Sequence, residues 1–174
     1  TLSSDLKTIG AKTFRGCTSL TNITLPQNIE SVGPEAFFQC SKLATVNLNN
    51  TLRFIRDFAF YECKSLSELT LPSELTQLGK SAFSGCSSLK TMKVNEKLIS
   101  VDDFAFYRCS SLTSLKLPKS LKNIGTSAFG MCSRVSSLSL LNPNAVVEDA
   151  AFVGCPITSL TCLLYTSDAA DDTP

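Results

Sequence analysis

The sequence predicts an α/β repeat solenoid, in which short coils stack in one direction and their strands form a parallel sheet on one face. The first observation is a strict period of 23 residues, carried by seven cysteines at Cys17, Cys40, Cys63, Cys86, Cys109, Cys132 and Cys155. The second is a phenylalanine three residues before each of these cysteines. A unit this short cannot bury its own apolar face, so each coil must stack on the next.

The strand of each repeat begins three residues after the cysteine. Its apolar positions follow the pattern L-x-x-L-x-L, as in Leu20, Ile23 and Leu25, and apolar and polar residues alternate at its end. This alternation is typical of a strand buried on one side. Residues that end pairing and turn the chain follow each strand: Pro26, Asn49, Pro72, Asn95 and Pro118.

The A-F-x-x-C segment is predicted to form a short helical turn. Phenylalanine and cysteine lie three residues apart, which places both on one face of a helix. The residue before each phenylalanine is alanine in six of the seven repeats, and a second apolar pair, such as Leu52 with Ile55, precedes the segment. Gly10, Gly33, Gly79 and Gly125 recur in one column, and charged residues take that column in the alternate repeats that follow Gly33, namely Arg56, Asp102 and Glu148.

The repeated cysteines have four interpretations: disulfides, metal binding, catalysis and packing. Adjacent coils would bring the Cα atoms within bridging range, which favours disulfides. However, the repeat cysteines are odd in number, and they point inward along one column, where cysteine packs as a small apolar side chain. One thiolate per coil with no histidine suits neither zinc nor a catalytic thiol. The sequence therefore predicts buried, unbonded thiols and no metal site.

Composition excludes several classes of function. Sixteen basic residues balance fifteen acidic ones, so no net field would recruit nucleic acid. No apolar stretch is long enough to predict insertion of this segment into a membrane. Histidine, the usual general base, is absent from the sequence, which argues against an enzyme. Four acidic residues, Asp102, Asp103, Glu148 and Asp149, match no calcium-binding loop.

The outward positions of the L-x-x-L-x-L strands form three columns, which we call the strand face. These columns are rich in Ser and Thr and hold a small cluster of lysines beside a glutamate. Such residues offer adaptable hydrogen bonds and charge to a ligand, although Ser and Thr also simply suit exposed strands. No aromatic anchor lies in the columns. The candidate binding residues are Thr24, Asn47, Glu68, Thr70, Lys90, Lys93, Lys116 and Ser139.

The pattern I-G-x-x-A-F-x-x-C-x-x-L-x-x-L-x-L-P, followed from residue 2 to about 161, resembles the BspA-like, or Treponema pallidum-type, class of leucine-rich repeats. The resemblance implies a right-handed leucine-rich-repeat coil. It also implies a secreted or cell-surface protein, of bacteria or of some parasitic protists, that adheres to host or partner molecules. Repeat seven departs from the pattern, because it loses one residue in "CPITSL" and has Thr161 at an apolar position.

Two regions are predicted. Residues 1–161 form the solenoid, and because Leu2 aligns with Leu25 inside a strand, we expect an uncapped fragment of a longer array. Residues 162–174, "CLLYTSDAADDTP", have no relation to the repeats. We interpret this segment as an artefact derived from a sequencing adapter, and an ordinary disordered tail is the alternative.

The function that these observations predict is a binding or adhesion module of an extracellular or cell-surface protein. Its partner would be a macromolecule, either a protein or a glycan, bound through the strand face. The alternative is a passive structural spacer that extends another domain from the cell surface. We expect a monomeric segment without cofactor or enzymatic activity, and this functional inference rests mainly on resemblance of fold.

Overall fold

The computed structural model describes residues 2–162, in which the chain forms seven stacked coils. Each coil contributes two short strands, and we number the coils by these pairs. The strands are β1 (Thr8–Ile9), β2 (Asn22–Thr24), β3 (Ser31–Val32), β4 (Thr45–Asn47), β5 (Phe54–Ile55), β6 (Glu68–Thr70), β7 (Gln77–Leu78), β8 (Thr91–Lys93), β9 (Ser100–Val101), β10 (Ser114–Leu117), β11 (Asn123–Ile124), β12 (Ser137–Leu140), β13 (Val146–Val147) and β14 (Ser159–Cys162). Cys162, the first residue of the segment interpreted as an artefact, ends β14 and pairs with Leu140 of β12. The rest of that segment lies outside the described residues.

All strand pairs are parallel, which confirms the predicted repeat solenoid. The odd-numbered strands form one continuous seven-stranded sheet, with Ile9 opposite Val32 and Val32 opposite Ile55. The sequence did not predict this sheet, because strands of two residues show no periodicity. In the last coil, residues paired between β12 and β14 lie 22 positions apart in sequence instead of 23, as with Ser137 opposite Ser159, and this difference accommodates the residue lost from repeat seven.

The strands of the strand face form three separate sheets instead of one. Their orders are β2-β4, β6-β8 and β10-β12-β14. In coils 2 and 4 an asparagine follows the strand of the strand face, and its side chain donates a hydrogen bond to the preceding coil. These bonds run from Asn49 Nδ2 to the Pro26 carbonyl and from Asn95 Nδ2 to the Pro72 carbonyl. Proline has no such donor, so Pro72 cannot make the same bond back to coil 2.

Aspartates on the opposite side join the same pairs of coils. Asp57 Oδ1 accepts a hydrogen bond from the Lys80 amide at 3.0 Å, and Asp103 Oδ1 accepts one from the Thr126 amide at 3.0 Å. A Cβ on Gly79 would lie 2.5 Å from Asp57 Oδ1, so the even coil needs glycine there. From coil 2 onward, the alternation of glycine with charged residues therefore marks a unit of two coils, and coil 1 departs from it with Gly10.

The predicted helical turn at A-F-x-x-C is wrong, because residues 2–162 contain no helix. The segment is a chain of β-turns in which every second amide bonds within the coil. In coil 2 the amides of Ala36, Phe38 and Cys40 donate to the carbonyls three residues before them, at 3.3, 3.1 and 3.1 Å. Spacing by three residues fits such turns as well as a helix, so the sequence could not separate them.

The remaining amides of this segment bond to the next coil. Glu35, Phe37 and Gln39 donate to the carbonyls of Asp57, Ala59 and Tyr61, at 2.7 to 2.9 Å. Glu35 and Gln39 have φ angles of 54° and 56°, in the left-handed region. Beyond its first turn, a helix directs its amides to carbonyls of the same coil, whereas in this segment every second amide bonds to the next coil.

Gln39 offers a direct test of these turns. Gln39→Gly is expected to be about 1 kcal/mol more stable than Gln39→Ala, because glycine adopts positive φ without strain. Both variants remove the same hydrogen bond, from Gln39 Nε2 to Glu62 Oε2, so the pair is internally controlled. Urea unfolding followed by circular dichroism measures the difference. A helical segment would give the opposite order, by a similar amount.

The core of the solenoid is a stack of aromatic rings, which we call the phenylalanine ladder. Successive ring centroids lie 4.9 to 5.5 Å apart and successive ring planes differ by 3° to 13°. The five internal members are fully buried, and the two end members are half-buried. The ladder consists of Phe14, Phe37, Phe60, Phe83, Phe106, Phe129 and Phe152.

Candidate binding face

Six of the predicted binding residues form one exposed column along the strand face. Coil pairing places Thr24 beside Asn47, Thr70 beside Lys93, and Lys116 beside Ser139. Asn47 Nδ2 donates a hydrogen bond to Thr24 Oγ1 at 3.0 Å. All of these side chains are exposed except that of Ser139, which is half-buried.

Glu68 and Lys90 lie in the other two columns of the same face. Glu68 is opposite Thr91, and the Lys90 amide donates to the Ser67 carbonyl at 2.9 Å. The ion pairs found in residues 2–162 lie elsewhere, and none joins Glu68 to a lysine. The structure therefore places these two residues on the predicted surface but does not join them in an ion pair.

Lys93 and Lys116 occupy the same position in coils 4 and 5, at one of the two gaps between sheets. β8 and β10 are not paired there. In the described part of the chain no carboxylate lies within 4.0 Å of Lys90, Lys93 or Lys116. Like charges on neighbouring strands disfavour pairing. This arrangement leaves a cationic group on the face that is available to an acidic partner.

The other gap, between β4 and β6, contains a cleft of about 260 Å³. Its walls include Thr45 and Asn47 from coil 2 and Ser67, Glu68 and Thr70 from coil 3. Sequence reasoning placed all five of these residues in the columns and chose three of them, Asn47, Glu68 and Thr70, as binding candidates. It missed the cleft, because the cleft exists where β4 and β6 are not paired. In the sequence, that missing pairing is indicated only by proline in place of asparagine at Pro72.

The cysteines form a column of free thiols beside the ladder. Five are buried, from Cys40 to Cys132, whereas Cys17 is exposed, so the predicted packing of unbonded thiols is confirmed for the inner coils. Each thiol after the first donates a hydrogen bond to a ladder carbonyl of the preceding coil, for example Cys63 Sγ to the Phe37 carbonyl at 3.3 Å. That carbonyl also accepts the Cys40 amide. The thiols therefore join coils as well as filling space.

Burial makes these thiols poor nucleophiles. It raises the pKa of Cys40 from 9.0 to about 11 and that of Cys109 to about 12. It also raises the pKa of Cys86 well above 9.0. A reactive cysteine needs an accessible thiolate, so the buried thiols of the inner coils stay neutral in the folded protein near pH 7.

Two acidic residues beside the odd-stranded sheet, Asp57 and Asp103, accept hydrogen bonds from backbone amides. Burial raises the pKa of Asp102, and the nearby carboxylates of Asp57 and Asp103 raise it further. Residues 2–162 include no group of three or more potential ligands placed to hold a metal ion.

A second line of aromatic residues was missed at the level of sequence. The residues after the ladder phenylalanines of coils 1 to 3 are Arg15, Phe38 and Tyr61. Phe38 stacks on Tyr61 at 4.8 Å, and the Arg15 guanidinium lies 4.7 Å from the centroid of Phe38. Both faces of Phe38 are thus covered, so this ring is not free to stack on a ligand. In the sequence, this line was indicated by aromatic residues that directly follow the ladder phenylalanines of coils 2 and 3.

The coil geometry and the repeated columns agree with a known family. The sequence model for the BspA type leucine rich repeat region, present in six copies, matches residues 1–86 and 53–167. The chain belongs to this family. The BspA-type match describes a repeat region and indicates no catalytic family. The described part of this BspA-type chain has no helix with the length and apolarity needed to cross a membrane.

Solved structures of other repeat proteins resemble this BspA-type chain. The leucine-rich repeat protein of T. pallidum is 32% identical with a TM-score of 0.85, over 89% of this chain and 75% of that one. The pneumococcal vaccine antigen PcpA is 31% identical with a TM-score of 0.59, over 75% of this chain and 31% of that one. No curated protein matches the sequence significantly.

A third structure shows the fold alone. It is a leucine-rich cell surface protein from Faecalibacterium prausnitzii, 20% identical with a TM-score of 0.70, and the match covers 96% of this chain. The present chain spans 54% of that protein and 31% of PcpA. These relatives are therefore considerably longer than the segment described here.

Proposed function

We propose that this segment is a binding module of a secreted or cell-surface protein, which binds a macromolecular partner through the strand face. The surface location is supported by membership of the BspA type family and by PcpA, which is 31% identical and is a vaccine antigen. The partner is a protein or a glycan that presents an acidic group.

The observation that carries the proposal is the pair Lys93 and Lys116. These two lysines lie in one column of adjacent coils and have no carboxylate within 4.0 Å in residues 2–162, so no ion pair of theirs stabilises the solenoid. Charges placed on a face in this way increase the rate and specificity of association with a complementary surface. The hydroxyl groups around them, such as those of Thr91 and Ser139, add adaptable hydrogen bonds.

The test is a screen of the immobilised chain against host matrix proteins and glycans by biolayer interferometry. The double variant Lys93→Glu/Lys116→Glu is expected to lose about tenfold or more in affinity for the partner found. Binding should also weaken as salt increases, because the contact is exposed and charged. The matched control is Lys119→Glu/Lys122→Glu, which makes the same change of charge at exposed lysines outside the strand-face columns.

Two results would contradict the proposal. Equal losses in the two double variants would show an effect of net charge rather than of the face. Absence of any partner would favour the spacer, in which the continuous odd-stranded sheet only provides a rigid rod.

A further inference from the structure

We infer that the cleft between β4 and β6 is a subsite for one neutral sugar residue. This inference rests on the proposed function, because it names part of the ligand that the strand face would bind. It is carried by four unbonded backbone groups, one carboxylate and the closed back of the cleft.

Four backbone groups that face the gap between coils 2 and 3 lack the hydrogen bonds found between coils 1 and 2. In the paired coils 1 and 2, the Ala44 amide donates to the Thr21 carbonyl at 2.8 Å and the Leu25 amide donates to the Asn47 carbonyl at 2.9 Å. The groups at equivalent positions between coils 2 and 3 make no such bonds in the described structure. These groups are the amides of Ser67 and Leu48 and the carbonyls of Ala44 and Thr70, and all four residues line the cleft.

These backbone groups lie on exposed or half-buried residues and make no bond to the neighbouring coil, so they are free to bind a ligand in place of water. Two donors and two acceptors face the same small space here. A sugar ring matches this set, because each of its hydroxyl groups both donates and accepts a hydrogen bond.

The cleft is too small for an inserted peptide strand. Its volume of about 260 Å³ is below the range of about 300 to 1,000 Å³ that is usual for drug-sized ligands. An inserted peptide strand would have to separate coils 2 and 3 by about 4.8 Å more. The back of the cleft prevents that movement, because β3 pairs with β5 and the rings of Phe37 and Phe60 stack at 4.9 Å. The cleft therefore admits one ring rather than a strand.

The cleft carries one negative charge, that of Glu68. Glu68 is the only charged residue among those that line the cleft, and it has no cationic partner within 4.0 Å in residues 2–162. A carboxylate accepts hydrogen bonds from sugar hydroxyls and repels a sugar that carries its own carboxylate. The cleft is therefore selective for a neutral sugar over an acidic one.

The test is an NMR titration of the ¹⁵N-labelled chain with three neutral probes, namely methyl α-mannoside, methyl β-glucoside and methyl β-galactoside, and with glucuronic acid. At least one neutral probe is expected to give saturable shifts of the Leu48 and Ser67 amides in the millimolar range. Glucuronic acid should bind about tenfold more weakly or not at all. Absence of saturable shifts up to about 50 mM, or shifts only elsewhere on the chain, would overturn the inference.

Pro72→Asn is the decisive variant. It places in coil 3 the side-chain donor that Asn49 and Asn95 supply in the even coils, so it should join coils 2 and 3 and close the cleft. We expect it to lower affinity for the neutral probe about tenfold or more. Pro118→Asn makes the same change at the gap between coils 4 and 5 and should leave affinity unchanged. Equal behaviour of the two variants would contradict the site.

Glu68→Gln keeps the inference testable if Pro72→Asn does not fold. It removes the charge from an exposed side chain and is expected to weaken the neutral probe about fivefold to tenfold. Unchanged affinity would exclude the role of Glu68. Lys119→Glu/Lys122→Glu should leave the probe unaffected, because both lysines lie outside the cleft and outside the strand-face columns. A chain that binds the probes but no macromolecule would contradict the proposed function and leave the sugar site standing.

Discussion

Phe83→Ala is expected to destabilise the solenoid by about 3 to 5 kcal/mol, which is a large fraction of the stability of a domain of this size. Phe83 is fully buried in coil 4, between Phe60 at 5.1 Å and Phe106 at 5.4 Å. Its removal leaves a cavity and two missing stacking contacts. Since each coil contacts only its neighbours, the damage falls on the two central interfaces.

Urea unfolding followed by circular dichroism measures this effect. The matched control is Phe14→Ala, at the end of the ladder, where the ring is half-buried and stacks only on Phe37 at 5.2 Å. It should cost less than half as much. We also expect the Phe83→Ala transition to broaden, because the coils on each side lose their coupling. Equal costs at the two positions would contradict the stacked-coil account of stability.

Alkaline pH is expected to unfold the protein through its buried thiols. Below about pH 9 the thiols are protonated in both states, so stability does not depend on them. Above that pH the thiols of the unfolded chain ionise, while burial keeps those of the folded protein protonated, with a pKa of about 11 for Cys40 and about 12 for Cys109. Stability is therefore lost as pH rises from about 9 through the folded pKa values.

The size of this effect follows from how steeply the free energy of unfolding depends on pH. Each buried thiol contributes up to about 1.4 kcal/mol per pH unit in this window, so several thiols together exceed the stability of a typical domain. Urea midpoints measured from pH 7 to about 10.5 should be flat at first and then fall steeply. Cys86→Ala/Cys109→Ala should give a shallower fall above pH 9. If folded Cys86→Ala/Cys109→Ala shows less thiolate absorbance near pH 9 than the folded unchanged protein, the buried thiols ionise there, which would contradict the prediction.

Cysteine suits its column for a reason that packing alone does not supply. Its thiol is small and apolar enough for the core, yet it donates to a ladder carbonyl of the preceding coil, as Cys86 does to Phe60 at 3.3 Å. The carbonyl has two lone pairs and accepts an amide hydrogen bond as well, here from Cys63. The column therefore couples adjacent coils through a polar contact that needs no water and no disulfide.

Three features of the fold followed from columns of the sequence. The period of 23 residues predicted the stacked parallel coils, the L-x-x-L-x-L spacing placed the even-numbered strands, and an odd number of inward cysteines indicated free thiols. Thr24, Asn47, Thr70 and Lys93 were correctly placed on one exposed column, because side chains alternate along a strand. Their use in binding stays a prediction.

Other features could not be separated from their alternatives in the sequence. Phenylalanine and cysteine three residues apart fit both a helical turn and the β-turns that the chain forms. The difference lies in the amides of Glu35, Phe37 and Gln39, whose partners belong to another coil. Residue spacing within one repeat carries no information on a bond made between two repeats.

The sequence by itself determined what is local and periodic: the length of a coil, its apolar columns and the residues of its exposed face. The tertiary structure decided how neighbouring coils join, which produces the odd-stranded sheet, the units of two coils and the cleft beside Pro72. The physical reason is that an apolar column lowers the free energy in any stack with the right period. A hydrogen bond instead needs a donor and an acceptor at a set distance, and only the assembled coils provide that distance.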